Sequence, residues 1–341
     1  MQGSNFNSRY QPIQGRMSDS SQKSITILAP CFNEEEALPS FLEHVEGILA
    51  ALPEITWSIL LVDDGSSDRT WQVIGEMAKK HPHLRGLSLS RNFGHQTALT
   101  AGIDHLTTDA VIMLDCDLQH PPELIPLFIE KWRAGAKIVS AVRQETEQVG
   151  WFKEVTSRGF YGLIGKISDT PITPNVADFC LLDRTAYTAL RQMREQHRFV
   201  RGMIASLGFQ REFIPFVAKP RVSGASKYSF RKMFRMARHA ITSFSSAPLR
   251  LGIFPGIAAM IFGMLYGTYI LLRYMIVGDL IPGWASLMVV VLTLGGFQLL
   301  GLGVIGEYIG NIYEQTKSRP LYFLKGTIGD PDSNSSSEES E

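Results

Sequence analysis

The stretch AVIMLDCD, residues 110–117, decides the fold. Its opening apolar run, Ala110 to Leu114, is too short for a core helix and reads as a strand buried on both faces. The run stops on two carboxylates one residue apart, Asp115 and Asp117. A strand buried on both faces needs helices over each of them, and the surrounding sequence supplies that alternation. Residues 24–30 (SITILAP), 58–62 (SILLV), 85–90 and 137–142 read as further strands. Between the first two, Ala37, Leu38, Phe41, Leu42, Val45, Ile48, Leu49 and Leu52 form one helical stripe over residues 34–52. Another helix is expected after a Ser67 or Asp68 cap, with Trp71, Ile74 and Met77 facing inward. Residues 94–106 and the segment from Pro121-Pro122 to Ala134 complete the set. The pattern predicts an α/β domain on a mainly parallel sheet. Past Val142 it fades to a helix over 151–167, a strand within 175–183 and a mixed apolar-basic stretch over 198–216.

In such sheets ligands bind beyond the carboxyl ends of the strands. The polar clusters Asn33-Glu34, Asp63-Asp64 and Asp115-x-Asp117-x-Gln119 all fall there. Two carboxylates one residue apart can aim oxygens at one hard divalent cation, magnesium or manganese, that keeps positions for water and phosphate oxygens. Gln119 would add a neutral oxygen. The alternative is a solvated acidic turn capping the next helix; the buried strand before the motif and the neighbouring acidic strand ends favour the metal. Asp63-Asp64-Gly65-Ser66 offers a carboxylate to base or ribose donors and equally suits a turn with Gly65 left-handed. No G-x-G-x-x-G follows the first strand and no GxxxxGK[ST] exists, which excludes a dinucleotide Rossmann site and a P-loop.

Residues 251–272 and 280–306 carry no charge over 22 and 27 positions. A helix rising about 1.5 Å per residue needs roughly 20 apolar residues to cross a bilayer, so both are expected to span. Arg231, Lys232, Arg235, Arg238 and Arg250 precede the first, and Lys317, Arg319 and Lys325 follow the second. Basic flanks place the head and tail on the cytoplasmic side of a multi-pass plasma-membrane protein. Residues 228–244 interleave cations with Phe230, Met233, Phe234, Ala237, Ala240, Ile241 and Phe244, a pattern for a helix lying in the interface among membrane lipids. The expected organisation is a disordered extension (1–22), a catalytic domain (23–225), an interfacial helix (226–249), a two-helix hairpin (250–313) and a cytoplasmic tail (314–341). Net charge is zero, which argues against nucleic-acid binding by phosphate neutralisation. Three cysteines without zinc spacing read as reduced packing thiols.

Pro30-Cys31-Phe32-Asn33-Glu34, Val62-Asp63-Asp64-Gly65-Ser66 and Asp115-x-Asp117-x-Gln119, in this order, resemble glycosyltransferase family 2, whose catalytic domain has the GT-A fold. Arg91-Asn92-Phe93-Gly94 with His95 and Ala98 also looks like that family. Lys227-Tyr228-Ser229-Phe230, SFSSAPLR (residues 243–250) and the paired apolar stretches resemble its polyisoprenyl-phosphate glycosyltransferases, the bactoprenol branch above all. The resemblance covers about residues 24–325 and implies a UDP-sugar donor, a polyisoprenyl phosphate acceptor, a Mg2+ or Mn2+ ion and a homotetramer.

Carried over residue by residue, it puts Pro30, Phe32, Glu34 and Asp63 around the nucleoside. Asp115, Asp117 and Gln119 would hold the metal on the diphosphate, and Arg143 would lie by the transferring phosphates. Arg158, Arg221 and Lys227 are its candidates for the acceptor phosphate. Asp178 falls where the family often carries a catalytic carboxylate. A lipid phosphate with its second pKa near ~6 is already largely dianionic, so Asp178 serves either as base or as a group that orients the sugar or a basic neighbour. A processive polysaccharide synthase and a catalytically silent scaffold are the competing readings; two spans make too small a bundle for a pore, and the intact Asp115/Asp117 pair argues against silence.

Overall fold

Strand β1 (Lys23–Cys31) shows why the sheet is covered on both sides. Ile25, Ile27 and Ala29 join one apolar cluster, whereas Leu28 between them joins the other. The first cluster lies under α1 (Leu38–Ala50), α2 (Thr70–Ala78) and α4 (Ile125–Arg133). The second is capped by α3 (His95–Asp104), α5 (Arg184–Gln192) and α6 (Val200–Ser206). Each fully buried Leu or Ile contributes about 1.5–3 kcal/mol, so the two layers hold the domain. The computed structural model describes residues 22–117, 119–144, 175–196, 198–217, 253–277 and 283–329.

The other strands are β2 (Ile55–Asp63), β3 (Leu84–Leu89), β4 (Ala110–Met113), β5 (Ile138–Arg143), β6 (Val176–Asp183), β7 (Arg211–Phe216) and β8 (Leu324–Ile328). They form one sheet in the order β7-β5-β6-β4-β1-β2-β3-β8. Pairs β1–β2, β1–β4, β2–β3 and β5–β7 are parallel, and β6 runs antiparallel to both β4 and β5. That reversal brings the start of β6 to the edge where β1, β2 and β4 end. The β4–β6 register, Met113 opposite Cys180, extends to set Asp115 across from Asp178. Asp183 at the far end of β6 accepts from the Thr185 amide, capping α5, and from Trp132 Nε1 at 2.8 Å.

The expected strands and helices appear with shifted ends. α1 starts at Leu38 rather than residue 34, because Pro39 suits a first helical turn and residues 33–36 are bonded into a loop. Pro122–Leu124 forms a 3-10 turn, and Pro126 then lies in the first turn of α4. Cys31, Cys116 and Cys180 are buried free thiols.

Within the expected cytoplasmic tail (314–341), residues 324–328 are not separate from the domain before them: β8 pairs antiparallel with β3 and joins the same sheet. α7 (Ile253–Val277) includes a stretch, Gly256–Ile276, long and apolar enough to cross a membrane, and none of that stretch is buried. It is the one such helix among the described residues. Of the second expected span, residues 284–306 fall within α8 (Trp284–Thr316), a helix of 33 residues that exposes Leu287, Val291, Phe297, Leu299 and Leu302 but is not among those long and apolar enough to count as a span. Arg158, Arg221, Lys227, the helix expected over 151–167 and the interfacial helix over 228–244 lie outside the described residues.

Gly65 carries the tightest backbone constraint. Its φ is +67°, and a Cβ there would stand 2.3 Å from the Arg91 carbonyl carbon. Left-handed backbone alone costs a non-glycine residue about 1–2 kcal/mol. Gly65→Ala is therefore expected to destabilise the protein by at least that much, read as a lowered thermal midpoint of the full-length chain.

Candidate active site

Three loops at the carboxyl edge are laced together by side chains bonded to backbone. Asn33 takes a positive φ of 56°; its amide donates to Ser66 Oγ, and its Oδ1 accepts from the Ser67 amide at 2.9 Å. The Glu34 amide donates to Thr70 Oγ1 at 2.9 Å. Asp63 is 2% exposed and accepts from the Ser66 amide and from Ser88 Oγ. Asp64, equally buried, takes the amides of Phe93 and Gly94 at 2.8 and 2.9 Å, which fixes the loop entering α3. Burial raises its proton affinity, and the two amides oppose that.

That loop delivers His95. Its Nε2 lies 3.6 Å from Asp115 Oδ1 and 3.8 Å from Asp178 Oδ2. On the other side His120 Nδ1 stands 3.4 Å from Asp115 Oδ2. The His120 ring packs beside Phe179 and Phe216, with centroids 5.7 Å away in each case. Burial, followed by the charges of Asp178 and Asp117, lifts the Asp115 pKa against the pull of both imidazoles. Glu34 is raised by burial and then by Asp117, Asp68 and Asp115. Asp178 differs. Burial pushes its pKa up, but Arg201 grips both oxygens at 2.5 and 2.7 Å and the net shift is downward.

Asp117 is exposed, and its Oδ1 accepts the Gln119 amide at 3.0 Å. Glu34, Asp115 and Asp117 thus bring negative charge together, and among the described residues it is imidazoles that stand against Asp115. Such a hard-oxygen set short of positive charge fits a divalent cation. Among the described residues no group of three His, Cys, Asp or Glu side chains is poised to enclose an ion alone.

Among the expected residues, Glu34, Asp115, Asp117 and Asp178 come together. Phe32 stands 45% exposed beside them, whereas Pro30 is buried in β1 opposite Val62. Asp63 is a buried turn-former with both oxygens bonded, the turn reading of its motif. Arg143 is exposed at the end of β5, its amide bonded to the Asn175 carbonyl. Sequence reasoning missed the roles of His95, His120 and Arg201. His120 follows Gln119 directly, but nothing in a linear motif puts Arg201 beside Asp178.

Residues 26–191 match the family model described as glycosyl transferase family 2. A bactoprenol glucosyl transferase of Shigella phage SfX is 41% identical over 301 residues, which is 88% of this chain and 98% of that one. The chain belongs to glycosyl transferase family 2. Within that family it falls in the polyisoprenyl-phosphate glycosyltransferase group, and it is an enzyme of the glycosyltransferase class. An uncharacterized glycosyltransferase of Synechocystis sp. is 39% identical over 305 residues, 89% of this chain and 96% of the relative. Among solved structures, glucosyl-3-phosphoglycerate synthase from Mycobacterium tuberculosis, in complex with Mn2+, UDP and phosphoglyceric acid, superposes with a TM-score of 0.45 at 14% identity. It covers 64% of this chain and 76% of that one.

In this family 2 enzyme the Arg201–Asp178 pair has a measurable consequence. Losing Arg201 strands a carboxylate whose side chain is 12% exposed. Arg201→Ala should cost about 1–3 kcal/mol of stability, the usual worth of a charge-assisted hydrogen-bonded pair. A drop in thermal midpoint, restored in part by Arg201→Lys, is the expected reading.

Proposed function

We propose that this chain transfers one hexosyl group, glucose, from UDP-glucose to undecaprenyl phosphate at the cytoplasmic face of the plasma membrane, inverting the anomeric configuration. One observation carries the reading: the Asp115/Asp117 pair faces Glu34 and Asp178 at a sheet edge, in a chain akin over 88% of its length to a bactoprenol glucosyl transferase. The apolar α7 supports a lipid acceptor, and α8 would be the second span of a multi-pass anchor.

Phe32, Glu34, Pro30 and Asp63 would border the nucleoside, Phe32 offering its exposed ring to the base and Asp63 shaping the turn beneath it. Asp115, Asp117 and Gln119 would hold a Mg2+ or Mn2+ ion. Bound there, such an ion supplies charge neutralisation for the departing diphosphate. Arg143 would add a second positive charge, and Arg158, Arg221 and Lys227 are the proposed grip on the acceptor phosphate. A bond forms from a lipid-phosphate oxygen to the anomeric carbon as the bond from that carbon to the β-phosphate oxygen breaks, releasing UDP. The acceptor oxygen is already anionic and needs no base. Asp178, held ionised by Arg201, fits orientation of the sugar or of His95 better than proton removal. Assembly as a homotetramer belongs to the same proposal.

The test uses purified full-length protein, labelled UDP-glucose, a divalent ion and a short polyprenyl phosphate. Label is expected in an organic-extractable lipid. Asp117→Asn should lower turnover by about 100-fold or more, on the scale of losing a preorganised electrostatic group. Asp178→Asn should retain measurable transfer, because an amide still orients. Label in a growing polymer, or undiminished Asp117→Asn turnover at saturating donor and metal, would refute the reading.

A further inference from the structure

The segment after α8 does more than leave that helix. Gln315, in its last turn, clasps the loop after α5: its Oε1 accepts the Gln196 amide at 2.9 Å and its Nε2 donates to the Arg194 carbonyl at 2.9 Å. Gln196 Nε2 returns a bond to the Arg319 carbonyl at 2.7 Å. Tyr322 then donates to Asp104 Oδ2 at the end of α3, an oxygen that also takes Arg194 at 2.7 Å. From Leu324 the chain is β8, with Leu324 opposite Leu89 and Ile328 packed beneath against the first apolar cluster.

β8 runs antiparallel to β3, so its first residue stands at the carboxyl edge, where the chemistry is. There the Phe323 carbonyl accepts the Ser90 amide at 2.8 Å, and its ring lies 6.3 Å from that of Phe93. The Arg91 guanidinium covers Phe93 at 4.1 Å. Phe93 and Gly94 are the residues whose amides Asp64 holds, and the next residue is His95, between Asp115 and Asp178. The Phe323 ring is itself 56% exposed, so it contributes little to the core.

We infer that Phe323 is a positioning residue: it steadies the Ser90–His95 loop and thereby ties the reacting site to the end of α8. The catalytic half of this inference rests on the proposed sugar transfer; the structural half does not. The strap that leaves α8 is a strand of the same sheet and touches the loop that carries His95; with α8 as the proposed second span, the head would not swing freely about it.

The test compares full-length wild type, Phe323→Ala and Phe323→Leu in lipid nanodiscs by hydrogen exchange and by steady-state kinetics. In Phe323→Ala, amides of residues 90–95 are expected to exchange about 2- to 10-fold faster, the range for one lost aromatic pair, while β1 and the thermal midpoint stay unchanged. The kcat should fall by a similar factor with KM for the lipid acceptor unmoved, and Phe323→Leu should recover most of both. Unchanged exchange over residues 90–95 overturns the inference, as does faster exchange with an unaltered kcat. A wild-type chain that moves no hexose to any polyprenyl phosphate overturns the proposed reaction, and with it the catalytic half; the exchange comparison still decides whether the strap holds the loop.

Discussion

Mutual repulsion among carboxylates at one sheet edge is the constraint on which the rest depends. Burial, and after it the charges of neighbouring carboxylates, raises the proton affinity of Glu34 and of Asp115. A fold tolerates such a cluster only when positive charge is supplied, since like charges a few ångströms apart in a partly desolvated site cost several kcal/mol. For Asp178 the protein supplies it internally through Arg201. For Asp115 it offers two imidazoles that do not reach hydrogen-bond distance. The asymmetry separates the two aspartates: Asp178 is paired by the protein, whereas Asp115 is the one for which we propose a ligand cation.

The scaffold explains how the cluster is assembled. Parallel strands β1, β2 and β4 all end at one edge, and the antiparallel β6 begins there, so residues from four separate segments meet. Two of the loops are held by buried aspartates, Asp63 and Asp64, that spend their oxygens on backbone and serine donors. Rigid loops matter because catalysis by positioning fails when the reacting groups drift by an ångström. The strap after α8 extends the same logic from the site to the end of that helix.

Much of this was legible in the sequence. Short apolar runs ending at polar clusters marked β1, β2 and β4, and the helical stripe ending in Leu52 marked α1, because burial on both faces leaves a continuous hydrophobic record. What was not legible came from long-range register. Asp178 meets Asp115 only because β6 reverses, and Arg201 reaches Asp178 only because α6 folds over that strand. Residues 324–328 (LKGTI) carry one Lys, one Gly and one Thr, too polar to announce a strand; as an edge strand β8 needs no second buried face. Asp63 looked available in the motif, yet its turn takes one oxygen through the Ser66 amide and Ser88 on β3 takes the other.

The central claim is that Asp115 and Asp117 hold a divalent cation together with a nucleoside diphosphate. Electron paramagnetic resonance of Mn2+ tests it without turnover. With UDP present, the wild-type chain should bind one equivalent of Mn2+ and remove the free-ion signal, whereas Asp115→Asn and Asp117→Asn should leave that signal in solution. Free Mn2+ in the wild-type sample, or binding by both variants equal to wild type, would contradict the account.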